Sequence, residues 1–72
     1  MDKRQCKMGR AALEWNAKRL ADEAGLGSAT VARFELGRPV AAETITRMQS
    51  AMEAAGVQFS RKDAFLVVSV PE

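Results

Sequence analysis

The sequence predicts a mainly α-helical fold of four short helices followed by a C-terminal β-hairpin. The chain of 72 residues is rich in Ala, Leu, Glu, Lys and Arg, a composition typical of folded helical proteins. Apolar residues recur at helical spacing in four stretches, and glycines follow the last three of them. From residue 57 onward the pattern changes to short β-branched and aromatic runs, which are typical of strands.

The length indicates one small unit, with the helices in residues 1–56 and the hairpin in residues 57–72. A core of this size supplies about 3–5 kcal/mol of net stability, so we expect strong helix packing or a dimer.

The first helix is predicted from Lys3 to Glu14, with Asp2 as its N-cap. One face carries the apolar or small residues Cys6, Gly9 and Leu13. Arg10 falls beside that inward face, and a charge in such a position implies a partner elsewhere in the fold.

The second helix is predicted from Ala17 to Ala24, with Asn16 as its N-cap and Trp15 covering the junction with the first helix. Lys18 and Arg19 near its start oppose the helix dipole. Contact with phosphates would explain this placement, although harmless surface variation would explain it too.

The third helix is predicted from Ser28 to about Leu36, after Gly27 as cap. Its periodicity turns Val31 and Phe34 inward and leaves either direction open for Leu36. The outward face then carries three very small side chains and one arginine, namely Ser28, Ala29, Ala32 and Arg33.

The connection between the second and third helices has a spacing of its own. Ala21 is small enough for close helix approach, Gly25 suits a turn of positive φ, and Val31 points back toward Ala21. This spacing is that of a DNA-binding helix-turn-helix, and it also fits an αα-hairpin with no nucleic-acid role. In the first case Arg33 can donate two hydrogen bonds to guanine, and in the second it is a surface arginine.

Gly37 is predicted to end the third helix, and a fourth helix follows from about Ala42 to Ala55. A hairpin comes next, with a polar loop of about five residues, 60–64. Its second strand is so apolar that we expect it to be buried from water. It is therefore predicted as a dimerisation element or, alternatively, as a strand packed on its own helices. The residues concerned are Phe65, Val67, Val68 and Val70.

Composition argues against most enzyme chemistry. The sequence has no histidine and one cysteine, so Ser-His and Cys-His nucleophile pairs and a four-ligand zinc site cannot be built. We therefore expect neither an enzyme nor a metal or other cofactor. No apolar run reaches membrane-spanning length and Cys6 has no disulfide partner within the chain, which favours a cytoplasmic protein.

The formal net charge is +2, and its distribution is uneven. Residues 1–38 contain eight basic and five acidic residues, whereas residues 39–72 contain three and four. The basic surplus lies in the half that holds the candidate DNA-binding element.

Cys6 to Phe59 resembles the XRE-type helix-turn-helix family, to which the lambdoid phage repressor and Cro proteins belong. The resemblance rests on residues in matching order, namely Arg10, Leu13, Trp15, Asn16, Leu20, Ala21, Ala24, Gly25, Val31, Phe34, Glu35, Gly37 and the closing segment 53–59.

This resemblance implies a bacterial or phage-encoded transcriptional regulator, a repressor that binds a pseudo-palindromic site in double-stranded DNA as a homodimer. It implies an ion pair between Arg10 and Glu35. It also implies base contacts from Ser28, Ala29, Ala32 and Arg33, and phosphate contacts from Asn16, Ala17, Lys18, Arg19 and Arg38.

The sequence departs from the family pattern at the two DNA-facing helix starts. Ala17 stands where a glutamine is common, and Ser28 and Ala29 replace longer side chains. Direct readout then depends mainly on Arg33, with apolar contacts and DNA shape supplying the rest. The alternative function is a protein-interaction module, such as an antitoxin or adaptor, which uses the same fold to bind a protein partner.

Overall fold

Four helices make up most of the fold, which confirms the mainly helical class. The computed structural model describes the backbone of residues 1–62 and 65–69 and the side chains of residues 1–59. The helices are α1 (Lys3–Leu13), α2 (Ala17–Ala24), α3 (Ser28–Glu35) and α4 (Ala42–Ala54). Each begins at its predicted first residue and ends within one residue of its predicted end.

Local capping explains where α1 begins and ends. The Asp2 side chain accepts a hydrogen bond from the Gln5 backbone N–H at 2.8 Å, and the Gln5 side chain accepts one from the Asp2 backbone N–H at 3.0 Å. This reciprocal pair is a capping box. The helix ends one residue earlier than predicted, because Glu14 adopts the left-handed conformation at φ 57° and forms the C-cap.

The core lies where all four helices meet. Its buried residues come from every helix and from the segment that follows α4, namely Cys6, Leu20, Ala21, Val31, Phe34, Met48, Met52 and Val57. Met48 and Met52 are completely buried and form the inner face of α4. The remaining half-buried apolar side chains, including Trp15 and Leu26, pack around this cluster.

Two strands follow the helices. β1 (Gln58–Lys62) pairs antiparallel with β2 (Phe65–Ser69), with Phe59 opposite Val68 and Lys62 opposite Phe65. β1 continues through residues 60–62, which were predicted as loop. Phe59 reaches α1 at Gly9, where a Cβ would lie 3.0 Å from the Phe59 ring and 2.9 Å from Met52 Sδ. The absence of a side chain at Gly9 therefore lets α1, α4 and β1 approach one another closely.

Glu14 and Gly25, the two C-caps with a left-handed backbone, should respond in opposite ways to substitution. Glu14→Gly should raise the free energy of unfolding by about 0.5–1 kcal/mol, because glycine adopts positive φ without a Cβ clash. Gly25→Ala should lower it by about 1 kcal/mol, since Gly25 has φ 70° although no atom crowds its Cβ position. Urea unfolding of both variants measures the two changes in the free energy of unfolding. Equal signs for the two changes would contradict the prediction.

Candidate nucleic-acid interface

The turn between α2 and α3 joins two helices around small residues. Gly25 forms the C-cap of α2, and the Leu26 backbone N–H donates to the Ala21 carbonyl oxygen at 2.8 Å. Ala21 and Val31 are both buried, with exposures of 1% and 0%. The residues whose spacing suggested close helix approach therefore share one core, and α3 is held with its opposite face toward solvent.

The exposed face of α3 carries the four predicted base-contacting residues. The structure places all of them at the surface, and they are Ser28, Ala29, Ala32 and Arg33. Gly27 caps the helix through its extended backbone, without a side-chain hydrogen bond. A helix face with such short side chains allows its backbone to approach a ligand surface closely, and Arg33 is the one long side chain among the four.

Leu36 lies at the surface, which decides between the two directions that its spacing left open. It forms the C-cap of α3 and is 70% exposed. Its position one helical turn after Ala32 puts it on the same face as the small residues. The inner face at this end of α3 is already filled by the buried side chains of Phe34 and Glu35, which explains why Leu36 turns outward.

The predicted phosphate-contacting residues at the start of α2 are engaged in local interactions. Asn16 Oδ1 accepts the backbone N–H of Arg19 at 2.7 Å, which is the predicted N-cap. Lys18 Nζ lies 3.0 Å from Asp22 Oδ2, and Arg19 Nε lies 2.9 Å from Glu23 Oε1. The charges of both cations are therefore largely offset by carboxylates on the same helix.

The other two phosphate candidates differ in their surroundings. Ala17 is half-buried and packs against the core, so it offers a contact only through its backbone N–H at the first position of α2. Arg38 is exposed in the turn between α3 and α4.

Arg19 makes a second contact besides its ion pair. Its guanidinium lies over the Trp15 ring, 5.0 Å from the ring centre, and this contact holds the Arg19 side chain at the junction of α1 and α2.

A buried charge network ties α1 to the end of α3. Arg10 Nε and Nη2 donate to the two carboxylate oxygens of Glu35, at 2.7 and 2.6 Å. Arg10 Nη1 donates to the Trp15 carbonyl oxygen at 3.0 Å. Cys6 Sγ donates to Glu35 Oε2 at 3.2 Å. Arg10 thus has the partner that its inward position required, and the bidentate geometry fixes α3 relative to α1.

The network sets the protonation states of its members. Burial alone would raise the pKa of Glu35, but the hydrogen bonds from Arg10 and Cys6 outweigh burial and hold that pKa below its usual value. Burial, together with the hydrogen bond to Glu35, raises the pKa of the Cys6 thiol to about 12. Cys6 is consequently a protonated structural donor at neutral pH, not a reactive thiolate.

The role of Cys6 in this network was not predicted from the sequence. The available signal was its spacing of four residues before Arg10, which places both side chains on the same side of α1. Cysteine is usually buried as a small apolar residue, so the spacing does not by itself indicate a hydrogen bond.

The predicted dimerisation residues fall largely outside the described part of the chain. Val70 lies outside the described residues, and the structure describes only the backbone at Phe65, Val67 and Val68. That backbone belongs to β2, which lies next to α1.

Neither a metal site nor a membrane segment is present in the described residues. Within them, no three Cys, Asp or Glu side chains come together as metal ligands would. None of the helices in the same part of the chain has the length and apolar character that crossing a membrane requires.

The chain matches no protein-family model, and no curated protein is significantly similar to it. The assignment of a function therefore depends on the geometry described above.

Proposed function

We propose that this protein is a sequence-specific DNA-binding transcriptional regulator of the helix-turn-helix type. The observation that carries the proposal is the exposed face of α3, where Ser28, Ala29 and Ala32 have very short side chains and Arg33 is a long, positively charged one. A helix that enters the major groove needs a narrow outer face and a few side chains able to reach base edges. The rigid attachment of α3 through Glu35 supports this role, because a reading helix must keep its orientation.

The regulator is proposed to act as a repressor in the cytoplasm, bound as a homodimer to a pseudo-palindromic site. Two copies of α3 would then enter successive major grooves about 34 Å apart, and occupation of a promoter would block transcription. The C-terminal hairpin is the proposed dimerisation element, with Phe65, Val67, Val68 and Val70 in the contact. A two-stranded hairpin is marginal alone, which favours further pairing or packing of its second strand.

Selection of bound duplexes from a random DNA pool tests the proposal. The selection is done at about 150 mM salt, since non-specific retention at lower salt would mask sequence preference. Enrichment of an inverted repeat with half-sites about one helical turn apart is the expected result. Retention that shows no sequence preference, together with a stable complex with another protein, would instead favour the antitoxin or adaptor function, for which the exposed Leu36 is the supporting observation.

Arg33→Ala is expected to weaken binding to the selected duplex by about 1–3 kcal/mol and to relax the base preference at one position of each half-site. The reason is the loss of a bidentate contact to guanine. Titration of the variant against duplexes with each base at that position measures both effects. Arg33 is exposed, so the fold should be unaffected, and unchanged affinity and base preference would show that Arg33 does not read DNA.

A further inference from the structure

The positive charges on the described surface divide into paired and unpaired groups. Lys18, Arg19 and Arg47 each form an ion pair with a carboxylate four residues away on their own helix. Among residues 1–59 the lysines and arginines outside any ion pair are Lys3, Arg4, Lys7, Arg33 and Arg38. The unpaired cations thus belong to α1, to the end of α3 and to the turn after it.

Lys3 joins the start of α1 to the turn after α3. Its Nζ lies 3.0 Å from the position that a Cβ on Gly37 would occupy, and its Cδ and Cε lie 3.7 and 3.9 Å from the same point. Gly37 has φ 84°, and the next backbone N–H, that of Arg38, donates to the Arg33 carbonyl oxygen at 3.0 Å. The ammonium group of Lys3 therefore lies against the turn that contains Arg38.

Lys7 follows one helical turn after Lys3 on the same side of α1. The Lys7 side chain is exposed, as the Lys3 side chain is. The Glu35 carboxylate already accepts hydrogen bonds from Arg10 and Cys6, and Lys7 forms no ion pair with it. Lys7 consequently extends the positive charge of the turn along α1.

The stability of α1 does not account for a lysine in its first turn. Positive charges at a helix N-terminus oppose the helix dipole and cost about 0.3–1 kcal/mol each. The first turn of α1 contains no acidic residue, and Lys3 is its first helical residue. Like charges gathered at one place also repel one another, and a ligand with closely spaced negative charges relieves that repulsion.

We propose that Lys3, Lys7 and Arg38 form one phosphate-binding surface, through which α1 and the α3–α4 turn hold the DNA backbone beside the groove that α3 enters. The inference rests on the proposed function and adds α1 to the interface. It also assigns the main electrostatic contacts to these residues and not to Lys18 and Arg19, whose charges are offset by Asp22 and Glu23. Lysine suits this task as a mobile point charge near phosphate oxygens.

The salt dependence of binding tests the surface. Affinity for the selected duplex is measured by fluorescence anisotropy between about 50 and 200 mM salt, and the slope of log affinity against log salt is compared between variants. Lys3→Gln and Lys7→Gln should each make the slope shallower by about 0.9, and the double variant by about 1.8, because each lost phosphate contact releases one counterion fewer. All sequences should be weakened alike, since phosphates carry no base identity.

Arg47→Gln is the matched control, because it removes the same charge from an exposed ion pair on α4. Its slope should equal that of the unaltered protein, and thermal unfolding should show that all variants are folded. If the slope is unchanged for both Lys3→Gln and Lys7→Gln, or if Arg47→Gln changes it equally, the inference is overturned. The proposed function is not affected by that result as long as the protein binds DNA. Failure of the unaltered protein to bind any duplex overturns the proposed function itself, and binding to an acidic protein surface would then explain the unpaired cations.

Discussion

Glu35→Leu is expected to lower the free energy of unfolding by about 2–3 kcal/mol, a large part of the stability of so small a core. The substitution leaves the Arg10 guanidinium without its bidentate partner and Cys6 without an acceptor. Removing one member of a fully buried ion pair costs about 3–5 kcal/mol. The cost should be smaller here because the Arg10 side chain is 20% exposed and water can reach part of it.

Two variants separate the ion pair from other effects of this substitution. The double variant Arg10→Met with Glu35→Leu should recover most of the loss, since it removes both charges and leaves apolar side chains of similar size. Glu43→Leu makes the same change in an exposed pair, where Glu43 lies 3.2 Å from Arg47, and should cost less than about 1 kcal/mol. Urea unfolding measures all of them. Equal losses at positions 35 and 43 would contradict the prediction.

The same pair makes stability depend on pH in the acid range. Hydrogen bonds from Arg10 and Cys6 outweigh the effect of burial and hold the pKa of Glu35 below its usual value. Because the folded-state pKa is lower than the unfolded value of about 4.3, the contribution is complete above that pH and is lost as the pH falls through the folded-state pKa. The Glu35→Leu variant should therefore lose less stability between about pH 5 and pH 2 than the unaltered protein does.

Ala32→Glu should reduce affinity for the selected duplex by about 100-fold or more, while leaving the stability of the fold nearly unchanged. A carboxylate on the exposed face of α3 would meet the negative charges of the groove, and like charges brought together in an interface cost several kcal/mol. Glutamate is a good helix former, and Ala32 is exposed, so α3 should tolerate the change. Anisotropy titration and thermal unfolding of the same sample measure the two properties.

Ser50→Glu is the control for this experiment. It adds the same charge at an exposed position of a different helix, α4, and should weaken binding much less than Ala32→Glu does. A similar reduction for both variants would mean that net charge alone governs binding. Full binding by the Ala32→Glu variant would show that this face of α3 does not contact DNA, and would remove the main support for the proposed function.

For the candidate interface, the sequence predicts the helices and their exposed positions, but it does not predict which cations are paired. The exposed positions of Ser28, Ala29, Ala32 and Arg33 follow from the periodicity of α3. The pairing of Lys18 with Asp22 follows the spacing of four residues that stabilises exposed helix pairs, so that signal was present in the sequence. Whether such a cation faces its own helix or a ligand depends on small energy differences between exposed side-chain positions.

The sequence by itself determined the four helices, the Asn16 cap and the glycine turn at Gly25, because these depend on residues within about one helical turn of each other. Only the tertiary structure decided that Cys6 donates to Glu35, which is 29 positions away, and that Lys3 lies against Gly37. It also decided that Leu36 is exposed. The pairing of Arg10 with Glu35, 25 positions apart, was expected from the family resemblance and not from the periodicity of either helix. Such contacts arise when helices distant in the chain compete for one core, and the periodicity of a single helix does not specify which neighbour fills its inner face.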